Sequence, residues 1–250
     1  DPNFPNGIPN PLLQQNQFAT SSRVLNEQAF FGVAFDGDFD RCFFFDDLGH
    51  FVPGEYIVGI LAEIFLARYP GAKIVTDPRV IWNSSDIINE FGGKNILSKT
   101  GHAFMKSTMR KTNAVYGGEM SAHHYFQDFS YCDSGMIPWL LVWESLSKTQ
   151  VKLSDLISKR KSKFLSSGEL NFFVVNQIAC LAKVELEFGK NSISFDKQDG
   201  MSLTFTDWRF NIRASNTEPL VRLNIETKGD ILLLEQKTAQ LKSLIEEFCI

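Results

Sequence analysis

Apolar positions along the chain follow two different periods. Residues 30–35 and 42–45 are continuous apolar runs of strand length, closed by Asp36-Gly37 and Asp46-Asp47. Such runs between turn signals read as buried strands, which makes the hexapeptide 36–41 a loop. Beyond Pro53 the period changes: Ile57, Ile60, Leu61, Ile64, Phe65 and Tyr69 fall at three-and-four spacing and stop at Pro70-Gly71. That is an amphipathic helix with a Pro-Gly terminator.

The alternation then continues. Strands are expected at 73–76, 95–98 and 114–116, with helices at 85–91, 103–111 and 135–147 and with Gly92-Gly93 as one of the stops. Strands alternating with helices of about ten residues indicate right-handed βαβ units on a mainly parallel sheet. A Ser/Lys/Arg-rich stretch follows, with Lys159, Arg160, Lys161 and Lys163, and 158–168 reads as a linker. After it come a helix at 177–188, strands at 192–195, 201–205, 208–213 and 220–226, and a closing helix at 231–248. The expected class is α/β, with mixed, largely parallel sheet domains flanked by helices, plus a C-terminal α+β domain on an antiparallel sheet. Ahead of all this, 22–29 reads as the end of a helix. Residues 1–17, with four prolines and four asparagines, read as an irregular entry.

Composition narrows the function classes without choosing one. The 250 residues carry 25 Lys+Arg against 29 Asp+Glu, so no bulk positive charge draws nucleic acid. No apolar stretch approaches the roughly 20 residues that a bilayer requires. The four cysteines, Cys42, Cys132, Cys180 and Cys249, form no CxxC pair and read as free thiols of a cytoplasmic protein. The chain opens on Asp1 with no methionine and no basic-then-apolar leader, which suggests a fragment or a processed product. Charge is uneven: residues 1–47 hold seven acids and two bases, whereas the rest is balanced.

Most of that acidic excess is one loop, Asp36-Gly37-Asp38-Phe39-Asp40-Arg41. Three carboxylates at alternate positions raise one another's pKa unless a counter-charge arrives, and an oxygen-seeking divalent cation such as Mg²⁺ supplies it. An EF-hand is excluded, because Arg41 stands where its glycine belongs and strand-like runs flank the loop. A haloacid-dehalogenase-type phosphatase, with Asp36 as nucleophile, is the rival reading; Arg41 replaces that family's small residue.

A second constellation, Gly117-Gly118-Glu119-Met120-Ser121-Ala122-His123-His124, follows a strand. Two glycines allow a sharp turn, and a carboxylate, a hydroxyl and an imidazole at a strand's C-terminal end suit a ligand such as a sugar. A zinc site on His123-His124 lacks the partners it would need. The third constellation is Arg213-Ala214-Ser215-Asn216-Thr217-Glu218-Pro219 with Arg222. Guanidiniums, hydroxyls and turn N–H groups make a phosphate cradle, and the absence of GK[ST] excludes a Walker A loop. Asp77-Pro78-Arg79 and Lys99-Thr100-Gly101-His102 gain interest because they end strands of the same sheet as Glu119.

In this order and spacing, the aspartate loop, Thr100-Gly101-His102, Gly118 to His123 and Arg213 to Pro219 resemble the α-D-phosphohexomutases. The wording around them is most similar to that family's bacterial phosphomannomutase branch. The resemblance covers nearly the whole chain and implies a four-domain enzyme. It assigns 1–47 to the end of domain 2, 48–157 to domain 3 and 169–250 to domain 4.

It further implies that Asp36, Asp38 and Asp40 hold Mg²⁺. Arg41, Arg79 and His102 would belong to the catalytic set. Glu119, Ser121 and His123 would meet the sugar, and Arg213, Ser215, Asn216, Thr217 and Arg222 its non-reacting phosphate. Partners would be hexose phosphate and hexose 1,6-bisphosphate, with neither nucleic acid nor membrane involved. Arg79 stands where many relatives have a lysine thought to assist proton transfer, which an arginine hardly can. Phe39 and Ala122 replace common glycines, changes expected to be mild.

The reaction implied interconverts mannose 6-phosphate and mannose 1-phosphate through a bisphosphate, for GDP-mannose and surface polysaccharide synthesis. Glucose or dual specificity is the nearest alternative, and a non-catalytic sugar-phosphate-binding fragment the non-enzymatic one. The family's donor serine lies in a Thr-x-Ser-His-Asn-Pro run, and no Ser-His pair occurs in these residues. The chain alone is therefore expected to bind without completing the cycle. An uncovered domain face is expected to favour self-association.

Overall fold

A computed structural model describes residues 3–5, 7–215 and 217–249. The chain divides into two compact units, residues 1–77 with 83–160, and residues 78–82 with 161–250.

In the first unit, α1 (Phe18–Glu27) precedes an antiparallel sheet of β1 (Gly32–Phe35), β2 (Cys42–Phe45) and β3 (Phe51–Val52), in that order. All four β2 residues are buried, as the unbroken apolar run requires. Helix α1 lies so close to β1 that a Cβ on Gly32 would sit 2.4 Å from Val24 Cγ2. On α1 and just ahead of β1, Phe18, Leu25 and Phe30 are exposed.

Next come α2 (Gly54–Arg68), β4 (Lys73–Thr76), α3 (Trp82–Glu90), β5 (Lys94–Leu97), α4 (His102–Thr112), β6 (Tyr116–Gly118), β7 (His124–Phe126), β8 (Cys132–Asp133), α5 (Met136–Thr149) and α6 (Leu153–Lys163). The sheet order is β5-β4-β6-β7-β8. β4 pairs parallel with β5 and β6, and the remaining two pairings are antiparallel. This arrangement sets the C-terminal ends of β4, β5 and β6 along one edge. Helix α2 is buried over most of its surface, and Ile57, Leu61 and Phe65 pack into the main core with Phe44, Ile74, Tyr116 and Val142.

In the second unit, β9 (Leu165–Ser166), β10 (Leu170–Phe173), α7 (Gln177–Phe188), β11 (Ser194–Asp196), β12 (Met201–Thr204), β13 (Trp208–Ala214), β14 (Leu220–Thr227) and α8 (Ile231–Glu246) form an antiparallel sheet with two helices. Its order is β10-β14-β13-β12-β11, with β9 also on β14. Asn176 and Asp230 cap α7 and α8, accepting from Ala179 N and Leu233 N. Phe210, Ile212, Leu223 and Ile225 form one core with Val184, Leu234 and Leu241 of these helices.

The mixed α/β class agrees with the sequence reading; several segments do not. Residues 158–163, read as linker, continue α6, because Leu153 and Ile157 are buried one turn apart and anchor the helix. Lys159 and Lys163 are exposed residues of that helix. The strand expected at 114–116 begins at Tyr116: Asn113, with φ 56°, ends α4, and Ala114 N–H still bonds back to Met109 O. Strands β3 and β7 to β10 carry no periodic signal at two to four residues each. Among the described residues no helix is long and apolar enough to cross a membrane.

Candidate active site

The aspartate loop joins β1 to β2, whose register sets Phe35 opposite Cys42. Asp36, buried at the end of β1, accepts the Arg41 backbone N–H at 3.2 Å and Arg41 Nε at 2.6 Å. The loop is thereby folded back on itself. At its tip Phe39 has φ 63°, a left-handed conformation natural to glycine. Asp36, Asp38 and Asp40 each bring a carboxylate oxygen within 4.8 Å of the others. Burial raises the Asp40 pKa; His123 opposes the shift, and Asp36, Asp38 and Asp133 add to it. Asp40 Oδ1 is buried without a hydrogen-bond partner. An all-oxygen set with an unsatisfied buried acceptor fits a hard cation such as Mg²⁺.

The backbone joins this loop to the second constellation. Cys42 N–H donates to Ala122 O at 3.2 Å, and Arg41 forms an antiparallel bridge with His123. Glu119 to His123 is the turn between β6 and β7, closed by Ala122 N–H to Glu119 O and Glu119 N–H to His123 O, both 3.0 Å.

The turn does not use the glycines as the sequence suggested. Gly117 and Gly118 lie inside β6, and neither has a left-handed φ. They are small because a Cβ on Gly117 would stand 2.7 Å from Met109 Sδ, and one on Gly118 2.5 Å from the Tyr116 hydroxyl. The left-handed residue is Ala122, φ 71° and buried. Neither glycine replacement is therefore mild, since each puts a Cβ where L-residues are strained.

Glu119 is buried and accepts from the Tyr125 hydroxyl at 2.6 Å and from Gly101 N–H at 3.3 Å. Burial first, and Glu119 beside it, push the Tyr125 pKa far up, so the phenol stays a donor. The Gly101 bond brings the 99–102 loop to Glu119, with His102 exposed as the first residue of α4. Asp77 reaches the same turn by accepting Met120 N–H at 2.8 Å. Ser121 is half-buried within the turn.

His123 and His124 part company. His124 is wholly buried, its Nδ1 2.8 Å from the Tyr116 hydroxyl, and burial lowers its pKa to about 3. His123 Nδ1 instead lies 3.2 Å from Asp133 Oδ2 and 3.6 Å from Asp40 Oδ2. Their different surroundings dispose of a two-histidine zinc site. Burial opposes charge on His123, but Asp133, Glu119 and Asp40 outweigh it and hold the pKa above its ordinary value. Asp133 also takes Lys106 Nζ at 2.8 Å. Despite burial, the bonds from His123 and Lys106 keep its carboxyl well below the usual range.

The second unit holds the remaining candidates. Arg213 and Arg222 are direct cross-strand partners on β13 and β14, a like-charge pair that needs an anion. Glu169 supplies it, with Arg222 Nη1 at 3.0 Å, Arg213 Nη2 at 3.1 Å and Arg79 Nη1 at 3.4 Å. Against its burial, these three guanidiniums hold the Glu169 carboxyl below its ordinary range. Glu218 also lies 3.7 Å from Arg222 Nη2, so three guanidiniums face two carboxylates, and the surplus positive charge suits a phosphate. Gln177 Nε2 staples the turn beyond β13 by donating to the carbonyls of Ser215, Glu218 and Leu220, and Thr217 N–H lies 3.4 Å from Ser215 Oγ. Asn216 lies outside the described residues.

Sequence reasoning missed Tyr125, Lys106, Asp133 and Glu169. Each works through a partner distant in sequence or on a neighbouring strand, so no contiguous motif marks it.

The aspartate loop, the carboxylate turn and the arginine cluster follow one another in the order of the phosphohexomutase motifs, and the family of the chain follows from comparison with known proteins. The chain matches the phosphoglucomutase/phosphomannomutase alpha/beta/alpha domain II at residues 1–49, alpha/beta/alpha domain III at 53–164 and the C-terminal domain at 169–241. It belongs to that family. In particular, it is 53% identical over 247 residues to a phosphomannomutase of Escherichia coli K12, covering 99% of this chain and 54% of that protein. It is 55% identical over 245 residues to a protein of Xanthomonas campestris B100 named phosphohexose mutases, covering 98% and 55%. The chain thus spans about half the length of the curated relatives it matches. A solved phosphoglucomutase/phosphomannomutase family protein of Burkholderia thailandensis superposes with TM-score 0.82 at 27% identity, over 100% of this chain and 54% of that one.

Proposed function

We propose that these residues form the metal, sugar and phosphate loops of a phosphomannomutase that interconverts mannose 6-phosphate and mannose 1-phosphate through a bisphosphate, supplying GDP-mannose synthesis in the cytoplasm. The observation that carries the reading is the backbone junction between the aspartate loop and the Glu119 turn, Arg41 against His123 and Cys42 against Ala122. It brings a carboxylate metal loop and a buried sugar-type carboxylate together in one unit.

On this reading Asp36, Asp38 and Asp40 hold Mg²⁺, which when bound neutralises charge on a transferring phosphoryl group. Arg41, held by Asp36, would lie beside that group. Glu119, oriented by Tyr125 and Gly101, accepts from two neighbouring sugar hydroxyls, and Ser121 supports it. His123 has Nδ1 committed to Asp133, so Nε2 is the nitrogen that holds or passes a proton. Arg213, Arg222 and Arg79 take the phosphate that is not reacting, with Ser215 and Thr217 beside it. His102 lines the sugar side.

Asp36 as a phosphatase nucleophile is disfavoured, because Arg41 engages both of its oxygens. The phosphohexose mutase name of a 55% identical relative supports the alternative that hexose phosphates other than mannose phosphates are accepted as well. With no Ser-His pair among them, the 250 residues alone bind without turnover. Phosphorus NMR tests this on mannose 6-phosphate with Mg²⁺ and a hexose bisphosphate. No mannose 1-phosphate should form with this chain, while calorimetry should show saturable mannose 6-phosphate binding. Turnover by the chain, or no binding, contradicts the reading.

A further inference from the structure

The face of β13 and β14 opposite the apolar core carries a ladder of cross-strand polar pairs: Arg209 with Glu226, Asn211 with Asn224, and Arg213 with Arg222. The last pair belongs to the phosphate cluster. The first is fully buried, each residue 1% exposed, with Arg209 Nη1 and Glu226 Oε2 2.5 Å apart. Two buried charges on adjacent strands lose more by desolvation than they gain from each other unless further hydrogen bonds complete them.

Here both carboxylate oxygens of Glu226 and both terminal nitrogens of Arg209 bond to one short segment, while Arg209 Nε is buried without a partner. Arg209 donates through Nη1 to Arg79 O at 3.0 Å and through Nη2 to Pro78 O at 2.8 Å. Glu226 accepts Ile81 N–H at 2.9 Å and Trp82 N–H at 2.8 Å. Four backbone groups are therefore held, two carbonyls at the first end of residues 78–82 and two amides at the other. Among the buried side chains of this segment is Arg79, which meets Glu169 with Arg213 and Arg222.

We infer that Arg209 and Glu226 are positioning residues: the pair fixes residues 78–82 so that Arg79 becomes the third guanidinium of the phosphate cradle. This role rests on the reading of the 213–222 turn as a phosphate site. It accounts for an arginine at position 79, since a fixed, permanently charged guanidinium serves anion binding and not proton transfer. Arg209 and Glu226 themselves grip the segment through its backbone, so neither dictates the side chain at position 79.

The probe is inorganic phosphate, titrated calorimetrically into the unsubstituted protein and into Arg79→Ala, Arg209→Lys, Glu226→Gln and the Arg79→Ala/Arg209→Lys pair. Losing one charge-assisted guanidinium contact should weaken phosphate about tenfold in Arg79→Ala. Arg209→Lys keeps the charge but cannot span two carbonyls, and should weaken it nearly as much. In the Arg79→Ala background the same change should cost less than about twofold, the coupling expected of a residue that acts through another. A merely structural role would weaken phosphate equally in both backgrounds, and that result, or no effect of Arg209→Lys on the unsubstituted protein, overturns the inference. If Arg209→Lys fails to fold by thermal melting, Glu226→Gln in both backgrounds carries the same cycle. Absence of phosphate binding by the unsubstituted protein overturns the proposed function together with this role, whereas binding without coupling overturns this role alone.

Discussion

Ala122 and Phe39 show how single residues tune this site. Each occupies a left-handed backbone position in a loop that faces the other, with φ 71° and 63°. An L-residue there costs about 1 to 2 kcal/mol, partly offset because glycine loses more chain entropy on folding. Ala122→Gly should therefore raise the melting temperature, by up to about 1 kcal/mol in stability; an unchanged or lower melting point would show that the strain is relieved elsewhere. His124 gives the pH dependence of the same turn. Its folded pKa of about 3 lies below the unfolded value near 6.5, so its contribution is complete above pH 6.5 and is lost as pH falls toward 3. Between pH 7 and 5 it should cost roughly 2 kcal/mol, and a His124→Gln chain should show a correspondingly shallower fall in a denaturant series. At this scale the sequence was legible wherever chemistry sits in a contiguous run, as in 36–41. It was silent on Asp133 and Glu169, which gain meaning from Lys106, His123 and three arginines that only folding brings near.

Among the elements, β13 and β14 carry most of the second unit's chemistry, because strand alternation gives them one apolar and one polar face. Phe210, Ile212, Leu223 and Ile225 were readable from period two, whereas the buried polar ladder behind them was not, since Arg and Glu at alternate strand positions ordinarily mean solvent. Glu169, just ahead of β10, makes the Arg213–Arg222 juxtaposition tolerable. Glu169→Gln should lower the melting temperature at pH 7, and added phosphate should restore more of it than in the unsubstituted protein, since an external anion then replaces the missing one. Equal stabilisation of both proteins by phosphate would contradict this. Because the Glu169 pKa is depressed, its contribution is present above about pH 4.5 and lost as pH falls through the lower folded value. Helices α2, α4, α5, α7 and α8 were legible in the sequence, whereas α6 was not. Strands β3 and β7 to β10 were not legible either, and the charged stretch at 158–163 misled because a solvated helix face and a linker share a composition.

Over the whole molecule, each unit bears its own half of the proposed chemistry. The first joins the metal-type loop to the sugar-type turn, and the second gathers three guanidiniums. Order along the chain, more than any one motif, made the family readable, and the matches to domains II, III and IV follow that order. What spacing could not convey is that Arg79, from between β4 and α3, belongs with the second unit's arginines. The central claim is that Glu119 and the aspartate loop form one Mg²⁺-dependent hexose phosphate site. Calorimetric titration of mannose 6-phosphate into this chain with Mg²⁺ present, compared with the Glu119→Gln chain, tests it most directly. Saturable binding that weakens at least about tenfold on that substitution is the predicted result; equal affinity of the two chains would contradict it.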